Sequence, residues 1–172
     1  MTVVNSALDN FKRPQPRRMD FVFDDSIPMD WFGGDPFKTM VLTALSGTFP
    51  EGERFFVDSV RHYQKQLNPA LAAQVSGFIG QEAHHGREHD AFNQFMQRKG
   101  LPMDRIEKFV TGGMQFLRQR LSPERQLAMT CALEHFTAIL AELALEPVAD
   151  DAAWDALVAN EGDDFAISYT DA

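Results

Sequence analysis

Between Phe78 and His89 the chain reads Phe-Ile-Gly-Gln-Glu-Ala-His-His-Gly-Arg-Glu-His, placing acid and imidazole groups where a core helix would carry leucine. The helical stripe through it is Leu71, Val75, Phe78, Glu82, His85, His89, Phe92 and Met96, spaced alternately by four and three residues. At about 100° per residue, Glu82, His85 and His89 share an arc of roughly 60°, while His84 and Glu88 point well away. Buried without partners, such groups would each cost several kcal/mol, so a metal ion is the simplest partner. The Glu-x-x-His spacing lets Glu82 and His85 reach one ion; His85 and His89, one turn apart, offer an alternative pair. Glu82 and His89 stand ~10 Å apart along the axis, which favours two ions, or one ion and a histidine that only orients a ligand. No His-Glu-x-x-His motif is present.

Two further helices each carry an acid on an apolar face. Thr48-Phe49-Pro50-Glu51 has the capping-box pattern and opens a helix expected to run to about Leu67. Its apolar face contains Phe56, Val57, Val60 and Leu67, and Glu53 shares that face, whereas Glu51 is assigned to the cap and His62 to the surface. Ser122-Pro123-Glu124-Arg125 starts another helix, with the stripe Leu127, Cys131, Glu134, Ala138, Ala141 and Leu145. His135, one step round, is expected to orient a ligand, Cys131 to be a buried filler, and Glu142 and Glu146 to be solvated. The candidate metal set is therefore Glu53, Glu82, His85, His89 and Glu134. Oxygen with imidazole suits one or two divalent ions, iron first, with manganese or zinc as alternatives. Glu53 and Glu134 are also the candidate catalytic bases.

These positions require long antiparallel helices, an all-α fold. Residues 1–36 form an irregular arm broken by Pro14, Pro16, Pro28, Gly33, Gly34 and Pro36, docked through Trp31-Phe32. Helices are expected over Phe37–Leu45, from Asn68-Pro69 to about Lys99, and over Met103–Leu121 with Ile106, Phe109, Val110, Gly113, Phe116 and Leu117 inward. Gly77, Gly80 and Gly86 interrupt the ligand helix against propensity, which implies close approach of a neighbour there. The helical domain spans 37–158, Trp154 and Leu157 dock, and 159–172 is an irregular tail.

A chain of 172 residues with 44% hydrophobic residues suits one soluble domain. The net charge of −9 argues against nucleic acid, and Lys12, Arg13, Arg17 and Arg18 are read as a solvated arm. No apolar run approaches the ~20 residues of a membrane span, so a cytoplasmic location is expected. Fifteen phenylalanines suit a dry core, or a pocket for an apolar small-molecule substrate.

Three segments also carry a resemblance. Phe49-Pro50-Glu51-Gly52-Glu53-Arg54-Phe55-Phe56, Phe78-Ile79-Gly80-Gln81-Glu82-Ala83 through His85 and His89, and Ala132-Leu133-Glu134-His135-Phe136-Thr137-Ala138 resemble the bacterial predicted metal-dependent hydrolases. These look like relatives of the ferritin-like di-metal carboxylate proteins, and the resemblance covers about residues 17–157. It implies a ferritin-like helical bundle with a metal site, matched here at Glu53, Glu82, His85, His89 and Glu134. The family pattern continues with a helix bearing Trp-His and Glu-Glu-x-Glu-His segments, where this chain runs Ala156-Leu157-Val158-Ala159-Asn160-Glu161-Gly162. The bundle is therefore expected to be incomplete at its C-terminus, with a homodimer covering the open side. A metal-dependent hydrolase is the leading expectation. A di-iron oxidase or oxygenase and a truncated, non-catalytic metal-binding remnant are the alternatives.

Overall fold

Pro36, Pro50, Pro69 and Pro123 each stand in the first turn of an α-helix, where the missing N–H is not needed and the fixed φ suits the turn, and Pro102 caps a fifth. The computed structural model describes residues 14–145. Among them are five α-helices: α1 (Pro36–Ser46), α2 (Phe49–Tyr63), α3 (Pro69–Arg98), α4 (Met103–Arg120) and α5 (Pro123–Leu145), with a 3-10 turn at Gln64–Gln66 after α2. There is no strand among the described residues, so the all-α expectation holds. None of the described helices is long and apolar enough to cross a membrane. Residues 146–172, with Glu146, Trp154 and Leu157, lie outside the described residues, as do Lys12 and Arg13.

Side-chain caps fix two of the helix starts. Asp35 accepts from the N–H groups of Phe37 and Lys38 at 2.9 and 3.0 Å, and Asn68 accepts from Leu71 N–H at 2.9 Å. The box expected at Thr48 does not form. Thr48 is itself helical, and its hydroxyl donates back to the Leu45 carbonyl at 2.7 Å. Glu51 is instead a buried acid between two arginines, 2.8 Å from Arg54 and 2.6 Å from Arg118 of α4.

α2 is the hub, packed along α3 and touching α1, α4 and α5. Phe55 and Phe56 are buried on it, and a hydroxyl pair, Ser59 with Thr130 at 2.8 Å, joins it to α5. A second apolar cluster closes the far end: Phe95, Met96 and Met103, covered by Phe23, Ile27, Trp31, Phe92, Leu101 and Ile106. Trp31 meets the Phe92 ring edge-on at 5.4 Å, and its indole N–H donates to Thr43 Oγ1 at 3.2 Å. The Trp31 anchor is thus as expected.

The orientation of α4 differs from expectation. Phe109 and Phe116 are 83% and 56% exposed, and Gly113 is exposed too. The face turned to α2 includes Arg118, drawn there by buried Glu51, and this rotation leaves the two phenylalanines outside. Cys131 is likewise exposed, not a core filler.

The arm is irregular, and Arg17 and Arg18 are exposed on it as expected, while its backbone is held against α3. Glu88, on the side of α3 turned away from the metal stripe, accepts from the N–H groups of Asp20 and Phe21 at 3.3 and 3.1 Å. Pro14 and Pro16 press on the same side. A Cβ at Gly77 would lie 2.4 Å from the Pro14 carbonyl oxygen, and one at Gly80 2.5 Å from Pro16 Cγ. Two of the three helix-breaking glycines are therefore explained by the arm.

In an unencumbered helix, Gly→Ala stabilises by about 1 kcal/mol. Gly77→Ala is expected to do the reverse, lowering the melting temperature and speeding amide exchange over residues 14–23. A variant more stable than the parent, with an unchanged arm, would show that the contact does not hold.

Candidate metal centre

The site forms where α2 crosses α3. Glu53, 2% exposed, projects from α2 onto the backbone of α3 at Gly86, where a Cβ would lie 2.4 Å from Glu53 Oε2. Only glycine leaves room for that carboxylate. Glu53 Oε1 lies 2.9 Å from His85 Nδ1 as an ion-pair contact, yet neither buried carboxylate oxygen accepts a well-directed hydrogen bond among the described residues. A buried carboxylate in that condition calls for a cation.

On its other edge, His85 Nε2 lies 3.1 Å from His89 Nε2. His89 stacks on Phe49 with centroids 4.5 Å apart. Its Nδ1 lies 2.8 Å from Ser46 Oγ at the end of α1. The neighbouring contacts fix the tautomer. Asn93 Nδ2 donates to the Ser46 carbonyl at 3.1 Å, so Asn93 Oδ1 is the atom that accepts the Ser46 hydroxyl proton at 2.8 Å. Ser46 Oγ is left to accept from His89 Nδ1–H, and the lone pair on His89 Nε2 faces His85. Burial, with His85 adding to it, pushes the His89 pKa down to about 3, so the ring is neutral.

Donor atoms of Glu53, His85 and His89 all lie within 4.8 Å of one another, a group that could hold a metal ion. The two short separations use opposite edges of the His85 ring, Nδ1 toward Glu53 and Nε2 toward His89, so a single ion would engage only one of the two nitrogens. Of the two pairings open from the sequence, the geometry brings His85 to His89 and adds Glu53 from α2. Glu82 and Glu134 stand beside this group rather than in it. Glu82 is 7% exposed, and burial, then the charges of Glu134 and Glu53, push its pKa up to about 9. Burial pushes half-buried Glu134 up to about 7, with His85 opposing and Glu53 adding.

His135 is exposed, so it does not orient a ligand. Ser46 and Asn93 do that work for His89. Asn93 was legible, four residues after His89 on the same face. Ser46, on another helix, left no sequence signal.

The residues present fit a metal: a buried carboxylate with no hydrogen-bond donor to either oxygen among the described residues, and a neutral imidazole whose lone pair is turned inward. Comparison with known proteins agrees. A family model described as predicted metal-dependent hydrolase matches residues 15–160, and the chain belongs to that family. No curated protein and no solved structure matches the chain.

The pKa directions make the metal-free protein pH-sensitive. His89 refuses a proton that the unfolded chain takes below its ordinary 6.5, so its contribution is lost as pH falls from there toward 3. Glu82 and Glu134 keep protons that the unfolded chain releases above 4.5, so theirs is lost as pH rises toward 7 and 9. Above pH 6.5 only the acids act. Thermal melts of metal-free protein should show stability falling from about pH 6.5 to 9, with a shallower fall in Glu82→Gln. A flat parent profile would contradict the burial of these acids.

Proposed function

We propose that this member of the predicted metal-dependent hydrolases binds a divalent ion through Glu53, His85 and His89 and hydrolyses a small-molecule substrate. The observation that carries the reading is the buried Glu53 carboxylate 2.9 Å from His85, with His89 3.1 Å beyond on the other edge of that ring and one donor atom of each of the three within 4.8 Å of the others. Iron is the metal favoured by the mixed oxygen and imidazole donors, ahead of manganese and zinc. Glu82 and Glu134 extend the donor set and would serve a second ion. When bound, the ion supplies Lewis-acid polarisation and a water acidified toward neutral pH.

The chain's own residues divide the remaining work. Ser46 holds the proton on His89 Nδ1 and so keeps Nε2 a donor. Glu53 is enclosed against Gly86 and His85, which suits a ligand better than a mobile base. Glu134, with a pKa near 7 and partial exposure, is the acid suited to take and return a proton during hydrolysis. Glu82 retains its own proton until a cation replaces it.

Elemental analysis of the purified protein tests this directly. At least one equivalent of metal per chain is expected, with losses of tenfold or more in His85→Ala and His89→Ala and a reduced content in Glu82→Ala. Ser46→Ala should weaken metal affinity by ~10–100-fold with the fold intact. Equal metal content in all four variants would remove the site. A metal-loaded protein inert toward esters, amides and phosphoesters would remove the hydrolase. The flanking pair Glu82 and Glu134 also gives di-iron oxygen chemistry a footing, which an oxygen-dependent absorbance change on adding ferrous ion would reveal.

A further inference from the structure

Four arginines gather around one opening in a chain whose net charge is −9. The cavity, about 470 Å³, has Glu53, Glu82 and Gly86 among its lining residues, so it opens directly onto the candidate metal centre. Arg54, Arg61, Arg87 and Arg118 line it too, against only Asp58 and Asp90 as further charges. Among the described residues none of the fifteen phenylalanines lines it, and its apolar wall comes from Pro50, Val57 and Ala83. The volume is that of a site for one small molecule.

We infer that this cavity receives an anionic head group, phosphoryl or carboxylate, of the substrate, gripped chiefly by Arg54, Arg61 and Arg118. The inference rests on the metal reading above and adds the chemical class of what is bound. Buried Glu51 orients two of the three, taking Arg118 Nη1 at 2.6 Å and Arg54 Nη1 at 2.8 Å. Phe55 supports the Arg118 guanidinium from 5.6 Å. Their other donors are poorly used. Arg118 Nη2 reaches Asp58, and Arg54 Nη2 reaches Asp90, only at 3.5 Å. Arg61 lies 3.6 Å from Asp58, and Arg118 Nε is buried without a hydrogen-bond partner among the described residues. Charge-assisted N–H···O bonds settle near 2.7–2.9 Å, so an incoming oxyanion would replace long contacts with short ones. Guanidinium forks suit the several oxygens of a phosphoryl or carboxylate group better than a point charge does. A cation bound at Glu53 would add to the same attraction.

Calorimetric titration of inorganic phosphate and of acetate into metal-loaded protein tests the assignment, with Arg61→Gln and Arg118→Lys as variants. Metal content and melting temperature are measured on every sample. Binding of at least one anion is expected, weakened about tenfold or more in each variant at unchanged metal content. The stronger of the two anions identifies the head group. Undiminished binding in both variants would mean that the ion alone holds the anion and would overturn the inference. Failure of metal-loaded parent protein to bind either anion would also overturn it while leaving the metal site standing. If the protein takes up no metal, the metal reading fails by itself. The same titrations on metal-free protein then decide: binding lost in the variants supports the arginine site, and absent or unaltered binding refutes it.

Discussion

A carboxylate buried at a helix crossing is the constraint on which the rest of this molecule depends. Glu53 can sit where it does only because α3 offers Gly86 beneath it. The same close crossing brings His85 into reach. It also forces α2 into the centre, since a helix buried at its N-terminal half must find partners on several sides. Two of the partners are tied by a polar contact as well as by packing: α4 through Arg118 on Glu51, and α5 through Thr130 on Ser59. The surrounding helices are thus arranged to keep one acid dry.

Dryness has an electrostatic consequence. Three carboxylates and two imidazoles within one small region cannot all carry their ordinary charges. Burial resolves this by holding a proton on Glu82 and by denying one to His89. A metal ion at the candidate site would compete with protons for the same groups. Two of the arginines around the cavity, Arg54 and Arg118, belong to the same balance: they are oriented by Glu51, an acid outside the candidate donor set.

How much of this was legible in the sequence depends on whether a residue's partner lies on its own helix. Glu82, His85 and His89 were readable because three- and four-residue spacing settles which side chains share a face. Glu53 followed from its distance to Phe56 and Val57. The failures all concern relations between helices. Glu51 satisfied a capping pattern that its burial beside Arg118 overrode. Phe109 and Phe116 looked inward because apolarity was used to orient α4, when an ion pair orients it. The alanines and cysteine of α5 gave no strong face, and Cys131 and His135 proved exposed. Ser46 lies forty-three residues from the histidine it orients, a separation that local periodicity cannot bridge.

α3 is used on both sides. Glu82, His85, Gly86 and His89 face the candidate metal centre, while Gly77, Gly80 and Glu88, on the opposite side, carry the arm. Inserting one residue between positions 77 and 89 would turn one part of the helix by about 100° relative to the other. Inserting seven would nearly restore the angle but displace the parts by ~10 Å. No insertion length preserves both the angle and the spacing. Over those thirteen positions the gene can drift by substitution but has almost no freedom to change in length, and its reading there is locked from two directions at once.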